Sequence, residues 1–234
     1  MGPSDVVFIV VGLGGVTGSE IAPFVSSIVR ELGGFAITIA ILPFHFEGMR
    51  RMLRAREGLS RLFASSDSVI LFPNQSLLGL LGKNAYLRDG FFLSEKRASC
   101  FIKSLMRPIV GDDQPGVRID LADIMTILKT GKMGRIGMGS GRGERKWADA
   151  TTEATQLLGG ARIGNANGVI VLFESESEDD LSFSKLQRAS FSVYEKIDPD
   201  TSLIYSLLTR KTTAYDVKST MIAVFDVADM GSGL

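Results

Sequence analysis

Apolar residues follow two rhythms along the chain. Val6–Val11, Phe35–Leu42 and Ser68–Phe72 are short apolar runs without alternation, rich in β-branched residues, as in strands covered on both faces. Ile21–Leu32 and Met49–Phe63 have helical spacing, and Met49, Met52, Leu53, Leu59, Leu62 and Phe63 are expected to share one face of the second helix. Gly33-Gly34, Pro43 and Pro73 stop these runs. Strand, helix, strand, helix, strand in that order predicts a parallel, right-handed βαβαβ unit. A longer helix over Asp89–Met106 is expected to break at Pro108, and Val110–Arg118 reads as a loop. Beyond it the pattern predicts a strand at "RIGMGSG", a helix over Glu144–Leu157 and a strand at "NGVIVLFES". A helix over Leu181–Ile197 and the strands "SLIYSLLTR" and "STMIAVFDV" complete the series.

The expected class is therefore α/β: a partial parallel, Rossmann-like half, a long central helix, and an α+β C-terminal domain. The divisions fall at 1–88, 89–109 and 110–234. A doubly wound sheet has two such halves with the ligand where they meet. Only one is read here, which places the apolar first strand at an open sheet edge.

Composition narrows the function. Lysine plus arginine and aspartate plus glutamate both number 26 in 234 residues. A neutral chain lacks the basic surface that broad nucleic-acid or anionic-membrane binding uses. The single cysteine, Cys100, can form no internal disulfide, and with one histidine, His45, no zinc cluster is expected. Cys100 is read as buried and His45 as a packed loop residue, with Trp147 as packing on its helix. Val6–Val11 is too short for a signal or a membrane span, so the expectation is a cytoplasmic protein without direct membrane contact. The turn after the first strand, "GLGGVTGSE", fits no common nucleotide fingerprint. Gly12 and Gly14 are followed by Thr17 rather than a third glycine of G-x-G-x-x-G, and no G-K-[ST] occurs. With no nucleophile–base pair, a metabolic enzyme on half a Rossmann scaffold has little support.

What the turn does resemble is the tubulin/FtsZ signature G-G-G-T-G-[ST]-G. Gly14, Gly15, Thr17, Gly18 and Ser19 match, while Val16 and Glu20 stand where the family has glycines. "PFHFEGMRRM", "FPNQSLL", "DGF", "IDLADI" and "MGSGRGERKWADATTEA" are similar, in the same order, to further segments of that family. The matches run over nearly the whole chain, and the family's first strands have no counterpart ahead of them.

The resemblance implies a cytoskeletal protein of prokaryotic cell division that stacks head to tail with itself or with a full-length FtsZ-like subunit. The implied ligand is GTP or GDP. Gly14, Gly15, Thr17 and Gly18 would offer backbone N–H groups to its phosphates. Glu47 and Arg51 match residues at the ribose and phosphates, and Asn74 matches a nucleotide contact. Phe91 matches the ring stacked on guanine and Glu95 the residue reading its edge. Asp120 and Asp123 match the catalytic pair that completes the site of the next subunit and activates water beside the γ-phosphate. Their spacing also suits a helix capping box. Val16 brings a Cβ to the glycine turn and Glu20 a negative charge, so weak GTP binding by the isolated chain is expected, as is doubtful GTPase activity. Arg50, Arg51, Arg54, Arg56 and Arg61 otherwise read as a solvated helix face. Arg118 replaces a family asparagine, and Gly111–Gln114 read as a lengthening of the loop. Two roles remain open: a filament subunit or cap with impaired nucleotide binding, or a piece of an ordinary FtsZ-type GTPase.

Overall fold

The computed structural model describes residues 5–81, 85–110, 116–158, 163–210 and 215–227. They form two compact units, the first gathering the chain through Ala98 with Lys132–Gly134, the second Ser99–Gly131 and Arg135–Phe225.

In the first unit, β1 (Val6–Gly12), α1 (Val16–Glu31), β2 (Phe35–Leu42), α2 (Met49–Ser65) and β3 (Ser68–Pro73) succeed one another. The long helix α3 (Leu87–Val110) starts in this unit and ends in the second. β1, β2 and β3 pair in parallel, in that order. Apolar β2 is central and almost wholly buried, whereas β1 is the edge strand and half exposed. Buried hydroxyls join the strands to the helices: Thr38 Oγ1 lies 3.2 Å from Ser26 Oγ and 2.9 Å from Ser66 Oγ.

The face of α2 differs from the expected one. Ala55, Gly58, Leu59, Leu62 and Phe63 are buried, while Met49 and Leu53 are exposed. Gly58 is the physical reason. A Cβ there would sit 2.8 Å from Ser19 Cβ, so its absence lets α1 and α2 approach and turns the rest of the stripe to suit. α1 begins at Val16, earlier than its apolar spacing suggests, and carries an exposed apolar row of Ile21, Phe24, Val25, Ile28 and Leu32.

The second unit holds β4 (Gly116–Val117), α4 (Leu121–Leu128), β5 (Met133–Gly141, whose first residues belong to the first unit), α5 (Lys146–Gln156), β6 (Gly168–Ser175), α6 (Phe183–Tyr194), β7 (Ser202–Thr209) and β8 (Val217–Phe225). Strand order is β5-β8-β6-β7-β4. β6 runs parallel to β7 and antiparallel to β8, and β4 antiparallel to β7. The "GMGSG" glycines have a packing role. A Cβ on Gly137, Gly139 or Gly141 would collide with the carbonyls of Ala154, Ala150 and Lys146 respectively, so the three form a flat seat for α5. Trp147 on α5 packs edge-on against Phe173 of β6 at 5.3 Å.

α3 does not break at Pro108 but continues to Val110. Proline there removes one N–H from the helical ladder, a loss confined to the last turn, where packing holds the helix. His45 is exposed, and Cys100 is half-buried instead of enclosed. The expected lengthening over Gly111–Gln114 lies outside the described residues.

Candidate functional site

The first candidate is the turn between β1 and α1. Gly14 has φ +92°, which glycine tolerates and a β-branched residue does not. Its N–H donates to Ser19 Oγ at 3.1 Å, closing the turn on itself. Arg51 lies over it, since a Cβ on Gly14 would be 2.6 Å from Arg51 Cγ and 2.9 Å from the Arg51 carbonyl. Gly15 is the N-cap of α1 and, among the described residues, makes no side-chain cap to the N–H groups of the first helical turn. Thr17 is exposed, Gly18 half-buried and Val16 64 % exposed. Gly18 holds the turn tight, because a Cβ there would strike the Gly12 carbonyl.

Glu20 does not lie idle near this turn. Its two carboxylate oxygens accept from Arg61 Nη1 at 2.6 Å and Nη2 at 3.0 Å. The hydrogen bond from Arg61 holds the Glu20 carboxyl below the usual range, with the positive charge adding to it. Glu20 thus carries its charge paired with Arg61, which is more than a solvated face.

Glu47 bridges backbone and side chain. One oxygen accepts from the Phe44 N–H at 2.7 Å, and the other pairs with Arg51 Nε at 3.1 Å. The same short turn carries Phe44 and Phe46, whose rings stack at 4.8 Å and each meet Phe91 edge-on at 5.6 and 6.0 Å. Phe91 remains 40 % exposed. Gly14, Arg51, Glu47 and Phe91 are thus linked through one continuous set of contacts. Asn74 is buried, and its Oδ1 accepts from Ser94 Oγ of α3 at 2.5 Å. Glu95, one helical turn beyond Phe91, is exposed.

The second candidate lies in the second unit. Asp120 is the N-cap of α4, and its Oδ1 accepts from the Asp123 N–H at 2.8 Å. Asp123 Oδ2 accepts in return from the Asp120 N–H at 3.0 Å. This is a reciprocal capping box, and each carboxylate keeps an oxygen outside it. Asp120 is exposed and Asp123 half-buried, so the pair faces solvent on a helix start anchored by buried Ile119, Ile124, Ile127 and Leu128.

Sequence reading missed Glu174 altogether. It is 4 % exposed on β6, and five groups converge on it. Oε1 accepts from Ser104 Oγ at 2.5 Å and lies 3.3 Å from Lys218 Nζ. Oε2 accepts from Arg210 Nη1 and the Tyr215 hydroxyl, both at 3.2 Å, with Arg107 Nη1 at 3.8 Å. Burial alone pushes its carboxyl up. The Lys218 charge, the Ser104 and Arg210 hydrogen bonds and the Arg107 charge outweigh this and bring it down to about 2. Burial and the Glu174 charge push the Tyr215 phenol up to about 12. The available signal was an acid inside the apolar run "VIVLFES", which demands a buried cation. Lys218 in "VKSTMIAVF" is its counterpart. Among the described residues no three His, Cys, Asp or Glu side chains are grouped to hold a metal, and no helix is long and apolar enough to cross a membrane.

A strand–glycine turn–helix over a parallel sheet, with an acid box opening a helix of the second unit, agrees with the comparisons. Residues 2–82 match the family model "Tubulin/FtsZ family, GTPase domain". Cell division protein FtsZ of Haloferax mediterranei is 35 % identical over 204 residues, covering 86 % of this chain and 52 % of the relative. FtsZ of Aquifex aeolicus is 32 % identical over 206 residues, covering 86 % and 54 %. The solved FtsZ dimer of M. jannaschii superposes with a TM-score of 0.84 at 27 % identity, over 94 % of this chain and 63 % of that one. The chain belongs to the tubulin/FtsZ superfamily. Within it, these matches are to FtsZ proteins of cell division, and the chain spans about half the length of the curated relatives.

Proposed function

We propose that this chain acts in an FtsZ-like filament as the subunit, or cap, that presents Asp120 and Asp123 to the nucleotide of its neighbour. The observation that carries this is the capping box at the start of α4. It fixes both carboxylates on a solvent-facing helix end while leaving an oxygen of each outside the box. Carboxylates so held can orient an attacking water and accept its proton in phosphoryl transfer, where positioning supplies most of the catalysis. That the solved M. jannaschii relative is an FtsZ dimer supports self-association.

The nucleotide itself belongs, on this reading, to the partner's site. The glycine turn here is closed by Ser19 and overlaid by Arg51, and Val16 stands exposed where a phosphate would approach. GTP is expected to bind the isolated chain more weakly than about 1 mM. Calorimetry giving tighter binding overturns that part.

The test of the whole is GTP turnover by a full-length FtsZ, with and without this chain. Asparagine keeps the helix cap but removes the charge. Asp120→Asn with Asp123→Asn is therefore expected to leave co-pelleting intact and to lower turnover at the shared site about 100-fold or more. Equal turnover with the double variant sinks the proposal.

A further inference from the structure

The buried cluster around Glu174 does more than neutralise one acid, because of where its partners sit. Ser104 and Arg107 belong to the last turns of α3, the helix that leads toward the aspartate-bearing segment. Arg210 directly follows β7, the strand on which that segment next docks. On β7, Leu208 pairs with Glu174 on one side and with Gly116 of β4 on the other, so Glu174 and Gly116 share a rung of the sheet. β4 can lie there only as glycine, since a Cβ on Gly116 would collide with the Leu207 carbonyl. Ser206 Oγ donates to the Val117 carbonyl at 2.9 Å, after which Ile119 is buried and Asp120 caps α4. One carboxylate thus ties the last turns of α3 to the end of β7, the strand on which β4 lies just ahead of the aspartates.

We infer that Glu174 is a positioning residue: through Ser104 and Arg107 on one side and Arg210 on the other, it fixes the place from which Asp120 and Asp123 are presented. This rests on the reading of those aspartates as the water-activating pair. Three cations around one acid suit the task. Each approaches from a different element, α3, the end of β7 and β8, so removing a single arm loosens one attachment without emptying the cluster.

The test uses the full chain, with Glu174→Gln and the milder Arg107→Met, which leaves Glu174 paired with Lys218 and Arg210. Hydrogen exchange reports on the amides of Asp123 and Ile124, which the box and the first turn of α4 protect. It also reports on Met221–Val224 in the core of β8. In Arg107→Met, exchange at Asp123 and Ile124 is expected to quicken about 10-fold while β8 stays unchanged, and in Glu174→Gln to quicken about 10-fold more than in β8. Arg107→Lys, which keeps the charge, is expected to restore protection. In the mixed turnover assay kcat should fall about 10-fold at constant KM for GTP. In Arg107→Met, equal loss of protection in α4 and β8, or none in α4, makes the cluster structural only and overturns the inference. Should Glu174→Gln not fold, Arg107→Met and Arg107→Lys decide alone. If the wild-type chain changes no turnover, the reading of the aspartates falls separately, and the exchange comparison still decides the positioning role.

Discussion

The glycine turn before α1 and the aspartate turn before α4 both open a helix, yet their polar groups are disposed in opposite ways. At the first, a serine from inside the helix takes the Gly14 N–H, an arginine overlays it, and the acid that follows is drawn aside by Arg61. At the second, two acids cap each other through backbone N–H groups and still keep oxygens outside the box. The first offers only the backbone N–H groups of a helix start without a side-chain cap, whereas the second also keeps side-chain oxygens on offer. Glycines prescribe a conformation, and whether that conformation binds depends on side chains that arrive from elsewhere.

The difference predicts where the molecule breaks hardest. Support for the aspartate turn runs into the buried Glu174 cluster, so Glu174→Gln should carry the largest penalty, about 3–5 kcal/mol at neutral pH, by leaving Lys218 buried beside an uncharged amide. The pH dependence has a definite sign. The Glu174 carboxyl is lowered from 4.5 to about 2, so its stabilisation is complete above pH 4.5 and is lost as pH falls through 2. At about 1.4 kcal/mol per unit this is about 3 kcal/mol. Urea titrations between pH 2 and 5 should show the wild type losing that amount relative to the variant. Parallel acid limbs would contradict the cluster.

Next in size comes the glycine turn. Gly14→Ala must adopt a positive φ and displace Arg51, a cost of about 1–3 kcal/mol, visible as a lower urea midpoint. Asp120→Ala should cost about 1 kcal/mol through the lost cap, whereas Asp120→Asn should cost only a few tenths. If alanine and asparagine prove equally stable, the box contributes nothing to the helix.

These effects also separate what the chain pattern revealed from what it hid. β2 was legible to the residue, because a continuous apolar β-branched run has few other uses. The capping box was legible too, since its groups lie three apart in sequence. The orientation of α2 was not, because Gly58 acts through a neighbour, Ser19, far away along the chain. Pro108 misled for a related reason: local preference ends the helix there, and packing of its last turns carries it on. Glu174 gathers partners from four segments, and no window of sequence contains them.

The smallest prediction concerns Glu20 and Arg61, and it sharpens the contrast most directly. Both side chains are about half exposed, and pairs of that kind change stability little. Arg61→Ala should therefore leave the urea midpoint unchanged within error. It should nevertheless release a carboxylate beside the first turn of α1, where unsatisfied N–H groups otherwise favour anions. Weak phosphate or GTP binding, followed by NMR shifts of the Gly14, Gly15 and Gly18 amides, should become weaker still in Arg61→Ala and recover in Arg61→Ala with Glu20→Gln. Recovery would mean that Arg61 restrains the charge that sets this turn apart from its family. Unchanged shifts in both variants would mean that Ser19 and Arg51 alone close it.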